Sequence, residues 1–383
     1  TDRQHVLVRR VLMLTSTAQY QDAIKYPHKR HTLMSVFQEG VQVADINDLT
    51  FSDGSVRASL TSRVTRTASL TFSEDDFPGD VGSILSPYAS VIQISTGVQY
   101  PDGLWEVFPV FTGRVAQPQR EADGTVTIRA DDYAADVVAY RFEAPQSTIT
   151  DSTVLTEIER LIGQAIPAAA FGTHTVTDLD VPALTWDEDR GQALDDLSEV
   201  LQGRWYALGD GTFVVRLYPY IAGTVVAALA DGDGGLIGTA TRTLTRDGVA
   251  NSITVVAERI DGTDPIRVTA RNTDTSSPTM FGDRYGRVSE VIKVQTPLTS
   301  AAAQQLAVQQ LAAMSALTEQ WTVEMVPDST LEPGDTITVS YRGQTATQVI
   351  DSITYPLTAS GLMTLGTRSS VTPPISTTEG DDD

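Results

Sequence analysis

This sequence predicts a mainly β protein in which two antiparallel β domains flank a helix-containing α+β insert. Three observations carry that reading: many short runs alternate apolar with polar residues, Asp-Gly pairs recur between them, and only three stretches have helical periodicity. Alternation with period two marks strands that bury one face. Asp-Gly closes hairpins because both residues tolerate positive φ, so repeated pairs favour antiparallel sheets over βαβ units.

The alternating runs are 58–72, 107–115, 125–130, 212–217, 252–257 and 336–341. Turn signals stand at Asp53-Gly54, Asp102-Gly103, Asp123-Gly124, Asp210-Gly211 and Pro333-Gly334. The first helix spans 151–166 and puts Val154, Ile158, Leu161 and Ile162 on one face behind an Asp or Ser cap. The second, 190–201, aligns Leu194, Leu197 and Leu201. The third, 300–317, carries Leu306, Leu311 and Met314 on an Ala-rich background, with Thr299 or Ser300 as N-cap.

The order of elements divides the chain. Residues 1–142 read as the first β domain, 143–236 as the α+β insert, 237–370 as the second β domain with one long helix, and 371–383 as a disordered acidic tail. The Gly-rich stretch Asp231 to Gly235 reads as a flexible linker at a boundary. No fixed-period repeat stands out, and two β domains around an insert are the pattern of a distant duplication.

At roughly 100–200 residues per domain, 383 residues hold about two to four domains. An apolar fraction of 41% is enough for real cores. Acidic residues outnumber basic ones 49 to 27, for a formal charge of −22, which repels nucleic acid and anionic membranes at long range. Cysteine is absent, which excludes disulfides, thiolate metal sites and cysteine nucleophiles. No secretory signal or membrane-length apolar run occurs, and Thr1 is read as following a removed initiator methionine.

Chemistry-bearing motifs are scarce. There is no phosphate loop, G-x-S-x-G elbow or H-E-x-x-H. Of four histidines (His5, His28, His31 and His174), His28 and His31 are three apart, but Pro27, Lys29 and Arg30 around them argue for a loop and against a metal. Glu74-Asp75-Asp76 reads as a loop after a strand, and Asp131-Asp132 lies near a turn. Asp231 to Gly235 starts like a calcium loop, yet the position that needs a bidentate Glu is Arg242. Glu188 and Asp189 beside Trp186 have the composition of a sugar-cleaving pair; as acids before a helix they are read as its cap. No catalytic, cofactor-binding or metal residue is assigned, and no cofactor is expected.

Four stretches taken in order resemble a known family. They are Phe111-Thr112-Gly113-Arg114-Val115 with the run from Gly124 to Asp132; Ala193 to Leu197 with Gly203-Arg204-Trp205-Tyr206-Ala207 and Asp210 to Val215; Arg246 to Val255 with Tyr285-Gly286-Arg287 and the third helix; and Leu331-Glu332-Pro333-Gly334-Asp335-Thr336-Ile337. Together, over roughly residues 45–370, they resemble hub-type minor tail proteins of actinobacterial siphophages and, more distantly, the baseplate hub of contractile phages. The resemblance implies two tube-like antiparallel β-barrel or sandwich domains per chain. It further implies a homotrimer forming a pseudo-sixfold ring at the tail tip, assembled in the host cytoplasm. That ring joins the tail tube to a central spike or fibre and lets DNA pass. Implied partners are further copies of the chain, a distal tail protein, other tail-tip or baseplate proteins, the tape measure protein and the spike, with no specific nucleic-acid binding and no membrane span. Such a part is not an enzyme. The alternatives are a tail-associated cell-wall hydrolase and a host-carbohydrate-binding module using Trp105, Trp186 or Trp205 as stacking platforms.

Overall fold

The structure is a computed structural model, described over residues 7–8, 16–47, 53–72, 82–217, 223–259, 264–315, 319–369 and 375–379. In chain order the first part holds β1 (Leu7–Val8), α1 (Ala18–Ala23), β2 (Lys29–Gln38), β3 (Val41–Asn47), β4 (Asp53–Ser59), β5 (Arg66–Phe72), β6 (Ser90–Gln99), β7 (Trp105–Arg120), β8 (Val126–Asp132) and α2 (Tyr133–Ala139). The middle holds β9 (Gln146–Ser147), α3 (Val154–Ala165), β10 (Thr185–Trp186), α4 (Arg190–Val200), β11 (Gly203–Ala207) and β12 (Phe213–Leu217). The last part holds β13 (Val225–Ala230), β14 (Ile237–Leu244), β15 (Ser252–Arg259), β16 (Ile266–Asn272), β17 (Ser289–Leu298), α5 (Ser300–Ser315), β18 (Glu319–Met325), β19 (Thr336–Tyr341), β20 (Gln344–Pro356), β21 (Met363–Ser369) and β22 (Ile375–Glu379). The fold is mainly β with an α+β insert, as the alternation implied.

A single 14-stranded sheet runs through both ends of the chain in the order β14-β18-β21-β20-β4-β5-β8-β7-β6-β2-β3, with β19 and β13 branching from β20 and β1 on β7. The two β segments therefore share one sheet and one core. Val56, Leu70, Ile94, Phe111 and Ile128 from the first pack in the same cluster as Val323, Ile337, Ile353 and Leu365 from the second. The insert has its own core, where Val154, Ile158, Leu161 and Ile162 of α3 meet Leu194 and Leu197 of α4 and Trp205 of β11. A four-stranded sheet, β17-β15-β16-β22, carries α5 on one face through Ala303, Leu306, Ala307 and Leu311. Gln202, after α4, bonds Gln305 and Gln309 of α5, which ties the insert to that layer.

The large sheet contains the same strand set twice. The pairings β4-β5-β8-β7-β6 recur as β14-β18-β21-β20-β19, all antiparallel and in the same chain order. One bulge matches: β7 slips against β8 between Val115 and Gln117, and β20 slips against β21 between Ile350 and Ser352, whereas the slip of β6 on β7 between Ile94 and Ser95 has no counterpart between β19 and β20. Laying one bulge on the other sets Val91–Arg114 on Thr336–Val349, Thr67–Asp131 on Gln320–Arg368, and Asp53–Thr71 on Thr239–Glu324. A bulge is a local, conserved-register device, so its recurrence at one place identifies a duplicated unit.

Several expectations need correction. The run 58–72 is two strands, not one. Ser59 N–H bonds Thr65 C=O and reverses the chain, because Ser62 and Arg63 meet the insert instead of the sheet. Asp53-Gly54 is not a turn but opens β4, paired with Thr71 and Leu70. Gly103, Gly124, Gly211 and Gly334 do take positive φ. Two hairpin turns escaped notice, Glu39-Gly40 and Arg342-Gly343, where a charged residue with positive φ replaces the Asp that signals such turns. Asp231 to Gly235 is a closed turn, not a flexible linker: Asp231 N–H donates to Ser340 C=O, its carboxylate accepts from Arg342 N–H at 2.9 Å, and Gly235 N–H bonds Gly232 C=O. It joins β13, which pairs parallel with β19 inside the large sheet, to β14. Within the expected disordered tail, 375–379 is a strand, because β16 offers it a free edge and pairs antiparallel with it.

Candidate functional site

The insert, the first β repeat and the second meet around one fully buried arginine. Arg66 lies on β5 in phase with Ala68 and Leu70, the inward face, so its guanidinium is carried into the core with them. It donates to Val110 C=O of β7 at 2.9 Å and to Ala207 C=O of β11 at 3.4 Å, and is ion-paired with Glu332. One side chain thus touches both repeats and the insert. Burial works against its charge, and Glu332 and Tyr355 together outweigh burial, so its pKa stands above the ordinary value.

Neighbouring groups complete this junction. Asp132 closes β8 and caps α2, accepting from Ala134 N–H at 3.0 Å and from Arg66 N–H at 2.7 Å. Burial pushes its carboxyl up to about 7. Asp335 accepts from Glu332 N–H at 2.8 Å, and burial raises it to about 6. Tyr355 donates to Leu331 C=O at 2.5 Å. Outside this centre, Arg30 of β2 donates to Pro356, Thr358 and Gly361 C=O at 2.8, 2.9 and 3.1 Å, stitching the strand beside the first repeat to the end of β20 and the loop after it. Arg63 at the β4–β5 tip reaches Asp195 of α4 at 2.5 Å.

The four motif stretches acquire physical roles here. A Cβ at Gly113 would come within 2.7 Å of Asp132 Cα, so only glycine lets β7 approach β8 at that rung. The insert hairpin turns on Asp210-Gly211 and docks its tip on β7, where Thr112 Oγ1 donates to Gly209 C=O at 2.8 Å. Asn251 is buried and holds the loop after Tyr285 through Gly286 C=O (2.9 Å) and Val288 N–H (2.9 Å). Leu331 to Asp335 supplies Glu332 and Asp335 to the junction.

The candidate chemistry of the sequence does not converge. His28 bonds Tyr26 C=O at 2.8 Å, while His31 is buried and stacks on Trp105, ring centres 3.7 Å apart. Asp189 caps α4, accepting from Gln192 N–H at 2.9 Å, whereas Glu188 points to Arg141 at the surface, 3.1 Å away. All four tryptophans are buried, and three use the indole N–H inside the protein: Trp186 to Asp196, Trp205 to Asp195 and Trp321 to Glu319, at 2.8, 2.8 and 2.7 Å. None of the four offers an open face for a sugar. Among the described residues no three His, Asp or Glu side chains are placed to hold a metal. His5 and Glu74-Asp75-Asp76 lie outside the described residues. The sequence reading missed Arg66, Arg30 and Glu332; a charged residue on the inward phase of an alternating strand was the signal for Arg66.

Solved structures share this architecture. A tail protein from Neisseria meningitidis MC58 is 17% identical with a TM-score of 0.61, over 88% of this chain and 96% of that one. The chain has the tail-protein fold. A 43 kDa prophage MuSo2 tail protein from Shewanella oneidensis has the same fold at 13% identity and a TM-score of 0.56, over 88% and 98% of the two chains. So does the prophage tail protein gp18 of Listeria monocytogenes EGD-e, at 12% identity and a TM-score of 0.53, over 88% and 94%. The near-complete coverage on both sides means that insert and β repeats belong to the tail-protein fold together. No family model matches the chain, and no curated protein matches it by sequence.

Proposed function

We propose that this chain is a structural part of a phage tail: a hub-type minor tail protein that forms a homotrimeric, pseudo-sixfold ring at the tail tip or baseplate. The ring sits between the tail tube with its distal tail and tape measure proteins and a central spike or fibre, in a siphophage of the actinobacterial type. The observation that carries the reading is the duplicated strand unit. Two like β units per chain allow three chains to present six like units, which matches a sixfold tube on one side and a threefold spike on the other. The tail-protein fold shared with three proteins called tail proteins supports the same assignment. Side chains that bring the units together, such as Arg66 and Arg30, serve geometry: they fix how one unit sits on the next.

DNA passes through the ring in this proposal, and the charge of −22 favours a lumen that phosphates do not stick to. The test is native mass measurement of the purified chain followed by imaging of particles end-on. Three copies around an open channel are expected. A chain that stays monomeric at every concentration, or a channel lined with Lys and Arg, overturns the ring or its role in DNA passage respectively.

A further inference from the structure

The four-stranded sheet β17-β15-β16-β22 carries α5 on one face only. Ile253, Val255, Val268 and Ala270 point to that face and share a core with Leu306 and Leu311 of α5. The alternate positions point the other way, and strand pairing sets them in three rows across β17, β15 and β16. Lys293, Val256 and Arg267 make one row, Val291, Thr254 and Thr269 the next, and Ser289, Ser252 and Arg271 the third. Among the described residues, Val256 and Val291 join no hydrophobic cluster, and Val291 is 49% exposed.

This face runs against the charge of −22 carried by the whole chain. Lys293, Arg267 and Arg271 are exposed at three of its corners, and none of the rows holds an acid. Strands stand about 4.8 Å apart and residues rise about 3.3 Å along them, so Lys293 and Arg267 lie about 10 Å apart and Arg267 and Arg271 about 13 Å. Among the described residues, none of the three has a carboxylate within ion-pair distance. Arg271 lies over the Phe281 ring, 5.1 Å from its centre, and Arg287 lies over the same ring at 5.7 Å. Stacking holds a guanidinium plane and leaves its N–H edge free for a carboxylate.

We propose that this face docks an acidic protein, one that carries Asp or Glu around a small apolar or Thr-bearing centre. The Val-Thr middle of the face suits packing against a protein, and the cations at its corners complement that partner's acids. A DNA duplex fits less well. Duplex binders make on the order of 6–10 phosphate contacts, more than these few cations supply, and Asp264, Asp283 and Glu290 stand exposed on the same layer as like charges. A second copy of the chain also fits less well. The layer interrupts the second strand unit between β14 and β18, where the first unit has only a short turn. The face therefore has no counterpart in the duplication, and the two-unit geometry makes no use of it. The proposal goes beyond the ring reading and does not depend on it.

Salt gives the contact a signature. At low ionic strength the whole charge of −22 repels an acidic partner. At physiological strength the Debye length is about 8 Å, shorter than the spacing of the face, so the partner's acids feel the nearby cations more than the distant acids. At about 1 M the local pairs are screened as well. Binding therefore peaks at intermediate salt.

The probe is a short, labelled, Glu-rich helical peptide built on Ala, titrated with the full-length chain by fluorescence anisotropy. Arg267→Glu, Arg271→Glu, Lys293→Glu reverses the face. Lys25→Glu, Arg57→Glu, Arg129→Glu reverses three exposed cations elsewhere and shifts the net charge equally. Expected are saturable binding by the wild-type chain with its maximum near physiological salt, a loss of about tenfold or more with the reversed face, and a change below about twofold in the control. The neutral variant Arg267→Gln, Arg271→Gln, Lys293→Gln is expected to fall between them, and it carries the test if the reversed face does not fold. No binding by the wild-type chain, or equal loss in both reversed variants, overturns the proposal. Tighter binding of a short DNA duplex through the same three residues overturns the acidic protein as occupant. A native mass that drops to monomer only when the face is reversed assigns the face to a second copy and overturns it too.

Discussion

Replacing Arg66 by Met tests whether one buried charge holds the three parts together. The substitution keeps most of the side-chain volume but strips Glu332 of its cation and Val110 and Ala207 of a donor. Breaking a buried ion pair from one side costs about 3–5 kcal/mol, because the remaining charge stays desolvated, and the two carbonyls place the cost toward the upper end. At roughly 2–4 °C per kcal/mol for a unit of this size, the melting temperature falls by about 6–20 °C. Glu332→Leu alone costs a similar amount, because it strands the guanidinium. The double variant Arg66→Met, Glu332→Leu removes both charges and is expected to be less destabilised than the sum of the singles by about 2 kcal/mol, within the range for directly coupled residues. Urea unfolding followed by tryptophan fluorescence reads all four corners of the cycle, since Trp321 reports the core of the large sheet and Trp205 that of the insert. Additivity within about 0.5 kcal/mol, or a single variant as stable as the parent, refutes the claim that this pair is the joint.

Further outcomes follow from the same contacts. Burial raises Asp132 and Glu199 to about 7 and Asp335 to about 6, so the folded chain holds protons that the unfolded chain has released. Stability therefore falls as pH rises from about 4 to 7, by up to about 1.4 kcal/mol per pH unit for each carboxyl, and levels off above; urea midpoints that instead climb from pH 5 to 8 contradict this. Gly113→Ala drives a methyl into the Asp131–Asp132 backbone and costs about 1–3 kcal/mol, where a change below about 0.5 kcal/mol in a melt would deny the close approach. Asp189→Ala uncaps α4 and costs about 1 kcal/mol, seen as earlier proteolysis of the insert with the large sheet unaffected. Copies that each carry −22 repel one another, so raising salt from low to physiological strength strengthens ring formation by native mass; weakening would point to an ion-paired interface.

The class of fold was legible because alternation and Asp-Gly turns are local signals. The hairpins at Gly103, Gly124 and Gly211 follow from them, and α3, α4 and α5 follow from helical periodicity, another local signal, with only end residues displaced. What stayed hidden is long-range. Nothing near residue 58 announces that β4 pairs with Ser352 to Pro356, almost 300 residues away in sequence, because each strand reads the same whichever neighbour it takes. The duplication showed only as two β segments around an insert, with no visible repeat, for a related reason. Between β14 and β18 the second unit admits β15, β16, β17 and α5, where the first has only the short turn after Ser59, so no fixed spacing survives. β22 was misread because Thr, Ser and acidic residues look like a tail until a free edge such as β16 is there to pair with. Arg66 was readable in principle, from its inward phase, yet its partner Glu332 sits in a loop with no periodicity at all.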